Sequence, residues 1–161
     1  MSDEYSLDAI DLRLVDALQD NGRITNQELA QLCGLSPAAC HERVRRLRDK
    51  GVIRATVAVI EPKALSCDLL IFVEVVLDRT TNDAFRSFAD HVRAIPEILE
   101  CHMVAGGFDY LIKARVSDMA AYRAFLGNIL ASVPGVRETR TYAVLEQVKE
   151  TLRLPMPRRG G

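Results

Sequence analysis

Residues 34–51, GLSPAACHERVRRLRDKG, constrain the fold of this chain more than any other stretch. Ser36 can cap a helix, Pro37 suits its first turn because proline has no N–H to lose there, and Gly51 is a natural end. On a helical wheel one side is apolar, and the other carries small residues followed by arginines. A helix that enters a DNA groove needs this combination. The alternative is an amphipathic helix whose charges are simply solvated.

The residues before this segment strengthen the DNA-binding interpretation. Residues 8–20 have apolar side chains at helical spacing, which predicts a first helix capped by Asp8. Thr25 and Glu28 have the spacing of a capping box, which predicts a short second helix over residues 26–33. A three-residue turn with Gly34 then leads into the third helix. Two short helices joined by a tight turn, with a supporting helix in front, predict a helix-turn-helix.

The next ten residues, 52–61, are rich in β-branched side chains and predict strands. A β-hairpin here would make the unit a winged helix-turn-helix, with Arg54 near the phosphates of bound DNA. Pro62 closes the run. We therefore expect a DNA-binding domain over residues 1–61 and a linker over residues 62–68.

The second half of the chain predicts a different architecture, a βαββαβ order over residues 69–161 that includes a C-terminal tail. Strands are expected at 69–78, 98–106, 108–116 and 136–145, with helices at 82–95 and from Asp118 to Pro134-Gly135. This order predicts a ferredoxin-like sandwich, a four-stranded antiparallel sheet with both helices on one face. The fold class is therefore α+β. Because the other face lacks cover and its strands are apolar, we expect it to be buried against a second subunit.

Charge and cysteine content narrow the choice of function. The net charge is −1, but residues 36–54 carry six Lys or Arg against two Asp or Glu, so any DNA contact must be concentrated there. The four cysteines have no paired spacing, so we expect no metal site and no disulfide framework. The acidic N-terminus has no apolar signal region, and no apolar run is long enough to span a membrane. We expect a cytoplasmic protein with no membrane contact.

We expect double-stranded DNA to be contacted mainly by the third helix, lying in the major groove. Its small N-terminal residues would lie close to the DNA, and its arginines near bases or phosphates. Dimers would read half-sites about one helical turn apart. The predicted contact residues are Asn26, Ser36, Pro37, Ala38, Ala39, Glu42, Arg43, Arg45, Arg46 and Arg54.

A glycine-containing loop in the second half has the chemistry to bind a free amino acid. Paired Gly106 and Gly107 allow a turn that exposes backbone N–H groups, which can bind a carboxylate. Asp109, two residues on, can meet an ammonium. The alternative is a plain β-turn that Asp109 caps.

Long, specific segments of the chain resemble the Lrp/AsnC family, also called feast/famine regulators. They include CHERVRRLRDKG, ECHMVAGGFDYL, DMAAYR and PGVRETRTY, and the similarity runs from about Leu7 to Pro155. The resemblance implies homodimers formed through the sandwich sheets, often assembled into octamers. It also implies control of amino-acid metabolism genes by an amino acid bound at contacts between dimers.

The resemblance also implies which residues respond to the effector, and two of these residues differ from the usual pattern. The resemblance implies this role for Asp109, Met119, Tyr142, Ala143 and Val144, and the loop argument adds Gly106, Gly107 and Phe108 to the expected set. Gly107 stands where relatives usually have an acidic residue, and Ala143 where they have a larger β-branched one. Both departures would alter a pocket for a branched side chain, so the expected effector is leucine or another amino acid. Ala38 and Ala39 replace a common threonine and proline, which alters the expected base preference.

Two other classes of function are alternatives to a regulator. An enzyme would need a nucleophile and base, and neighbouring Cys101 and His102 lie in a predicted strand, where they point to opposite faces. No glycine-rich phosphate loop with lysine is present, so we expect no enzymatic activity and no cofactor. A nucleoid-type architectural protein that binds DNA without an effector is the remaining alternative.

Overall fold

A computed structural model describes residues 5–133 and 135–157, without the side chains of residues 128–132. The chain forms two compact units. The first contains the residues up to Val59 together with those from Lys149 onwards, and the second is Ile60–Val148. The chain therefore passes between the units twice. The sequence-based boundaries differ, because they assign the whole C-terminal tail to the sandwich.

The first unit contains three helices, α1 (Ala9–Asp20), α2 (Asn26–Cys33) and α3 (Pro37–Asp49). Each begins at a side chain that accepts a hydrogen bond from a backbone N–H of the first turn: Asp8, Thr25 and Ser36. Gly34 follows α2 with φ 68° and ψ 39°, a left-handed conformation that ends the helix and turns the chain into α3. The predicted helix-turn-helix is therefore formed.

The apolar stripes of these helices meet in one small core. Its buried members are Leu14, Leu29, Ala30, Cys33, Cys40, Val44 and Leu47. Burial raises the pKa of the Cys33 and Cys40 thiols, so both act as small apolar side chains.

The β-hairpin predicted for residues 52–61 is absent from the structure. No strand lies between Gly51 and Pro62, and Val57 and Val59 are 67% and 76% exposed. The residue types favour strands, but an extended segment needs a partner for its backbone hydrogen bonds. The described chain supplies none to this segment. A short 3-10 helix, Pro62–Leu65, follows within the expected linker.

The C-terminal tail packs on α1 in the same unit. The backbone of Leu154 donates to Gln19 Oε1 over 2.7 Å and accepts from Gln19 Nε2 over 3.3 Å. Arg153 forms ion pairs with Asp16, at 2.5 Å, and with Asp20. These contacts explain why the residues from Lys149 onwards group with the helices.

The second unit has the elements β1 (Leu69–Leu77), α4 (Asn82–Arg93), β2 (Ile98–Met103), β3 (Tyr110–Val116), α5 (Met119–Ser132) and β4 (Val136–Ala143). The strand order is β2-β3-β1-β4, and all three pairings are antiparallel. This is the predicted ferredoxin-like topology. Pro134, predicted to end α5, lies outside the described residues.

One face of the sheet packs on α4 and α5. Alternate residues of β1 and β3, including Ile71, Val73 and Ile112, are fully buried with Phe88 of α4 and Phe125 of α5. This face forms the core of the second unit.

The other face of the sheet is more polar than the sequence predicted. Glu74 on β1 accepts from the Tyr142 hydroxyl over 3.1 Å, and Lys113 on β3 pairs with Glu100 on β2 at 2.7 Å. The expectation of an apolar face was only partly correct, because Phe72 and Leu111 lie on it together with these charged side chains. The neighbouring strands contribute charged side chains to the same face.

Candidate nucleic-acid interface and ligand site

The outer stripe of α3 (Ala38, Glu42, Arg45 and Asp49) lies opposite the buried side of the helix and is exposed. Arg45 Nη2 lies 2.7 Å from Glu42 Oε2, and the two side chains are 64% and 59% exposed. Such an exposed ion pair contributes little, so the Arg45 guanidinium is available to another partner. The small side chain of Ala38 permits close approach at the N-terminal end of the helix.

The residues predicted at the turn have clear structural roles. Asn26 Nδ2 donates to the carbonyl of Pro37 over 2.8 Å and so links α2 to α3. Ser36 Oγ accepts from the backbone N–H of Ala39 over 3.3 Å as the helix cap. Ser36, Pro37 and Ala39 are exposed.

Arg43 and Arg46, predicted as DNA contacts, are paired with carboxylates of α1. Arg43 Nη1 lies 2.6 Å from Asp8 Oδ2 and 2.9 Å from Asp11 Oδ1. Arg46 Nη2 lies 2.9 Å from both oxygens of Asp11. The hydrogen bond from Arg43 lowers the pKa of Asp8, and the hydrogen bond to Asp8 raises the pKa of Arg43. Direct phosphate contact by either arginine therefore has to compete with these bonds.

Two residues near the outer stripe were missed by sequence reasoning. His41 and Arg48 lie on the flank of α3 away from Arg43 and line a shallow groove together with Asn26 and Arg45. Within residues 5–133 and 135–157, Arg48 has no carboxylate within ion-pair distance. Its place beside Arg45 on the helical wheel was the available signal. Arg54 is also exposed, just beyond α3.

The loop after β2 places Asp109 in a structural role. Asp109 Oδ2 accepts from the backbone N–H of Leu77 over 2.8 Å, and the Asp109 N–H donates to the Val75 carbonyl over 2.9 Å. Gly106 and Gly107 are exposed, and neither has a positive φ. The conformation therefore does not require glycine at either position, although the loop remains open to solvent on that side. Phe108 lies in the same loop and is partly buried.

Of the other predicted effector residues, Tyr142 and Ala143 lie on β4, Val144 follows them, and Met119 begins α5. Val144 donates its backbone N–H to the Leu70 carbonyl, and Ala143 lies opposite Ile71. Met119, the first residue of α5, is 55% exposed, so it does not belong to the core. Tyr142 is exposed, and its hydrogen bond to Glu74 raises its pKa.

The outermost members of these two groups, Asp109 and Val144, do not meet within one chain. Asp109 contacts Leu77 near one end of β1, whereas Val144 contacts Leu70 near the other. At about 3.3 Å per residue along a strand, the two positions are roughly 20 Å apart. A free amino acid is too small to span that distance.

Comparison with known families identifies both units. Residues 7–54 match the winged helix-turn-helix DNA-binding family, and residues 70–154 match the Lrp/AsnC ligand binding domain. The chain belongs to the Lrp/AsnC family. Its fold class, α+β with a helix-turn-helix head and a ferredoxin-like sandwich, is confirmed by these matches.

Curated proteins and solved structures agree with this assignment. The leucine-responsive regulatory proteins of Klebsiella pneumoniae and Escherichia coli (strain K12) are each 50% identical over 148 residues, covering 92% of this chain and 90% of the relative. An L-Met complex of a Neisseria meningitidis transcriptional regulator aligns with a TM-score of 0.86 and 37% identity, over 93% of this chain and 97% of that chain. E. coli AsnC aligns with a TM-score of 0.84 and 25% identity, over 95% and 100%.

This Lrp/AsnC protein is therefore a DNA-binding transcriptional regulator with a ligand-binding domain, and not an enzyme. In the described part of the chain, no cluster of three or more His, Cys, Asp or Glu side chains could hold a metal ion. No helix there is both long and apolar enough to cross a membrane.

Proposed function

We propose that this Lrp/AsnC protein is a sequence-specific regulator of amino-acid metabolism genes, controlled by a free amino acid bound between subunits. One observation carries the effector part of the proposal. The residues expected to respond to the effector form two groups, and their outermost members, Asp109 and Val144, contact positions on β1 about 20 Å apart. A site that uses both of these residues has to take one from each of two chains.

DNA reading is assigned to the outer stripe of α3 together with Arg48. Ala38 permits close approach to base edges, Arg45 is suited to read a guanine, and Arg48 to contact a phosphate. The local excess of positive charge on residues 36–54 supports this assignment in a chain with a net charge of −1.

The proposed assembly is a homodimer, and these dimers associate into larger oligomers of up to eight subunits. Exposed apolar side chains within residues 57–60 and 145–148 support association with other copies of the chain. These are Val57, Val59, Ile60, Leu145 and Val148, of which Val59 is 76% and Leu145 101% exposed. The paired charges on the uncovered sheet face would lie within such an interface.

The effector is an α-amino acid whose identity is set by the two departures from the family pattern. A Cβ added at Gly107 would meet no atom within 4 Å, so the loop leaves space beside Asp109. The small side chain of Ala143, in the second group of predicted effector residues, leaves further room for the effector. The L-Met complex of the N. meningitidis regulator makes methionine a first candidate beside leucine.

Subunit mixing tests whether the site lies between chains. Asp109→Ala changes the loop group, and Met119→Lys changes the exposed Met119 of the other group. We expect each variant alone to lose the rise in melting temperature that an effector gives the wild type through mass action. In oligomers mixed at random from equal amounts of the two variants, about a quarter of the sites take an intact loop group from one chain and an intact second group from another. Part of the rise in melting temperature should therefore return. Mixed oligomers with no return would contradict a site shared between chains.

A further inference from the structure

Asp11 is the one charged side chain that is buried within residues 5–133 and 135–157, with a relative exposure of 2%. It lies in the first turn of α1, and its carboxylate faces α3. An isolated buried carboxylate is costly, so its presence has to be explained by its partners.

The Asp11 carboxylate is held by donors from two helices. Arg46 Nη2 donates to both oxygens at 2.9 Å, and Arg43 Nη1 donates to Oδ1 at 2.9 Å. The backbone N–H of Asp8 donates to Oδ2 at 3.3 Å. Both arginines belong to α3, and both lie beside its outer stripe.

These bonds restrict the motion of α3 in a way that its apolar contacts do not. The buried stripe of α3 (Cys40, Val44 and Leu47) contacts the core with non-directional interactions, which tolerate small rotations. Hydrogen bonds to a carboxylate weaken steeply with distance and angle. Bonds from two successive turns to one carboxylate therefore restrict both rotation and sliding of the helix. Base readout depends on that orientation, because Arg45 projects from the same helix.

We infer that Asp11 is a positioning residue for DNA reading, which fixes the rotation of α3 and keeps Arg43 and Arg46 from binding phosphate. The inference rests on the proposed reading of DNA by α3. It assigns the two arginines to sequence discrimination through Asp11, and assigns phosphate contact to Arg48, which has no carboxylate partner among the described residues.

Asp11→Asn in the full-length protein tests this inference. The amide has nearly the same shape, but it loses the charge and one acceptor, so Arg46 is released while Arg43 keeps its ion pair with Asp8. Affinity is measured for an operator duplex selected from random DNA and for a scrambled duplex, over a range of salt concentrations. We expect discrimination between them to fall about 5- to 150-fold, the value of one bidentate base contact. Affinity for the scrambled duplex should be kept or increased, and the salt slope should steepen by roughly 0.9, the value for the one released arginine, Arg46.

Three further variants serve as controls. Asp83→Asn, on α4, makes the same change in net charge and should leave discrimination and slope unchanged. Arg48→Ala should reduce the salt slope by roughly 0.9 on both duplexes, the value of one phosphate contact. Arg46→Ala should leave the slope unchanged on both, because its guanidinium is bound to Asp11.

A charge-preserving variant covers the case in which Asp11→Asn does not fold. The double variant Arg43→Lys and Arg46→Lys keeps both charges but removes the planar donor groups that suit a carboxylate. We expect it to lose discrimination as well. Full discrimination in this variant, or in a folded Asp11→Asn protein, would overturn the inference. A wild-type protein that binds both duplexes equally would instead overturn the proposed sequence-specific function.

Discussion

At the scale of the residue, carboxylates at helix starts connect stability to pH. Asp118 Oδ1 accepts the backbone N–H groups of Ala120 and Ala121, each over 2.8 Å, at the start of α5. The bonds from Ala121 and Ala120 lower the pKa of Asp118 below its ordinary value of 3.8. The stabilisation from the ionised form is therefore present above pH 3.8 and is lost as pH falls through the lower folded-state pKa.

Asp118→Asn separates this charge from the cap itself, because the amide oxygen still accepts a hydrogen bond. We expect the variant to be less stable than the wild type at pH 7. The difference should shrink as the pH is lowered below 4, since protonation removes the same charge from the wild type. Urea unfolding of both proteins at several pH values measures this difference. A difference that stays constant down to pH 3 would show that the charge of Asp118 is not the cause.

The ion-pair partners of the α3 arginines at the candidate interface could not be predicted from the sequence. Helical spacing correctly placed Arg45 and Arg46 on the side of α3 away from its apolar stripe. It did not show that Arg43 and Arg46 face Asp11, because that residue is 32 and 35 positions earlier. Tertiary packing, and not local pattern, decides which charged side chains of a helix are already paired.

At the scale of the element, the turn between α2 and α3 depends on one left-handed residue. Gly34 has φ +68°, and an added Cβ would meet no atom within 4 Å, so only backbone strain opposes a side chain there. We expect Gly34→Ala to lower the free energy of unfolding by about 1 kcal/mol, because alanine is strained in this region. Urea unfolding of the full chain measures the change.

Two matched variants isolate the cause of that loss. Gly34→Asn should cost less, since asparagine enters the left-handed region more readily. Gly106→Ala adds a methyl group in equally open space at a glycine whose φ is not positive, so stability should be nearly unchanged. A Gly34→Ala protein as stable as the wild type would contradict the role of this turn.

Local patterns predicted the helices and the sheet well, because caps, apolar spacing and turn residues act over a few positions. Asp8, Thr25 and Ser36 cap the three helices as predicted, and the strand order follows from the two βαβ halves. Features that need a partner were predicted less well. Residues 52–61 favour strands but have none to pair with in the described chain. The face of the sheet that includes Glu74 and is not covered by helices is more polar than predicted, because neighbouring strands contribute charged side chains to it.

At the scale of the whole molecule, two segments of the chain connect the helix-turn-helix unit to the sandwich. The chain leaves the first unit after Val59 and returns to it at Lys149, where Arg153 and Leu154 bind α1. Val144 of the proposed effector site lies five residues before Lys149. This short stretch of chain links a residue of the proposed site to the DNA-reading unit, and we propose it as the physical route for a population shift between states.

The central claim, an amino acid that controls DNA binding through Asp109, is tested most directly by operator affinity with and without each free amino acid. For the wild type we expect at least one amino acid to change that affinity by about 5- to 150-fold, the usual range of coupling between two sites. Asp109→Asn keeps an acceptor for the Leu77 N–H but not the charge that meets an ammonium, so it should not respond. A wild type that responds to no amino acid, or an Asp109→Asn protein that responds equally, would contradict the account.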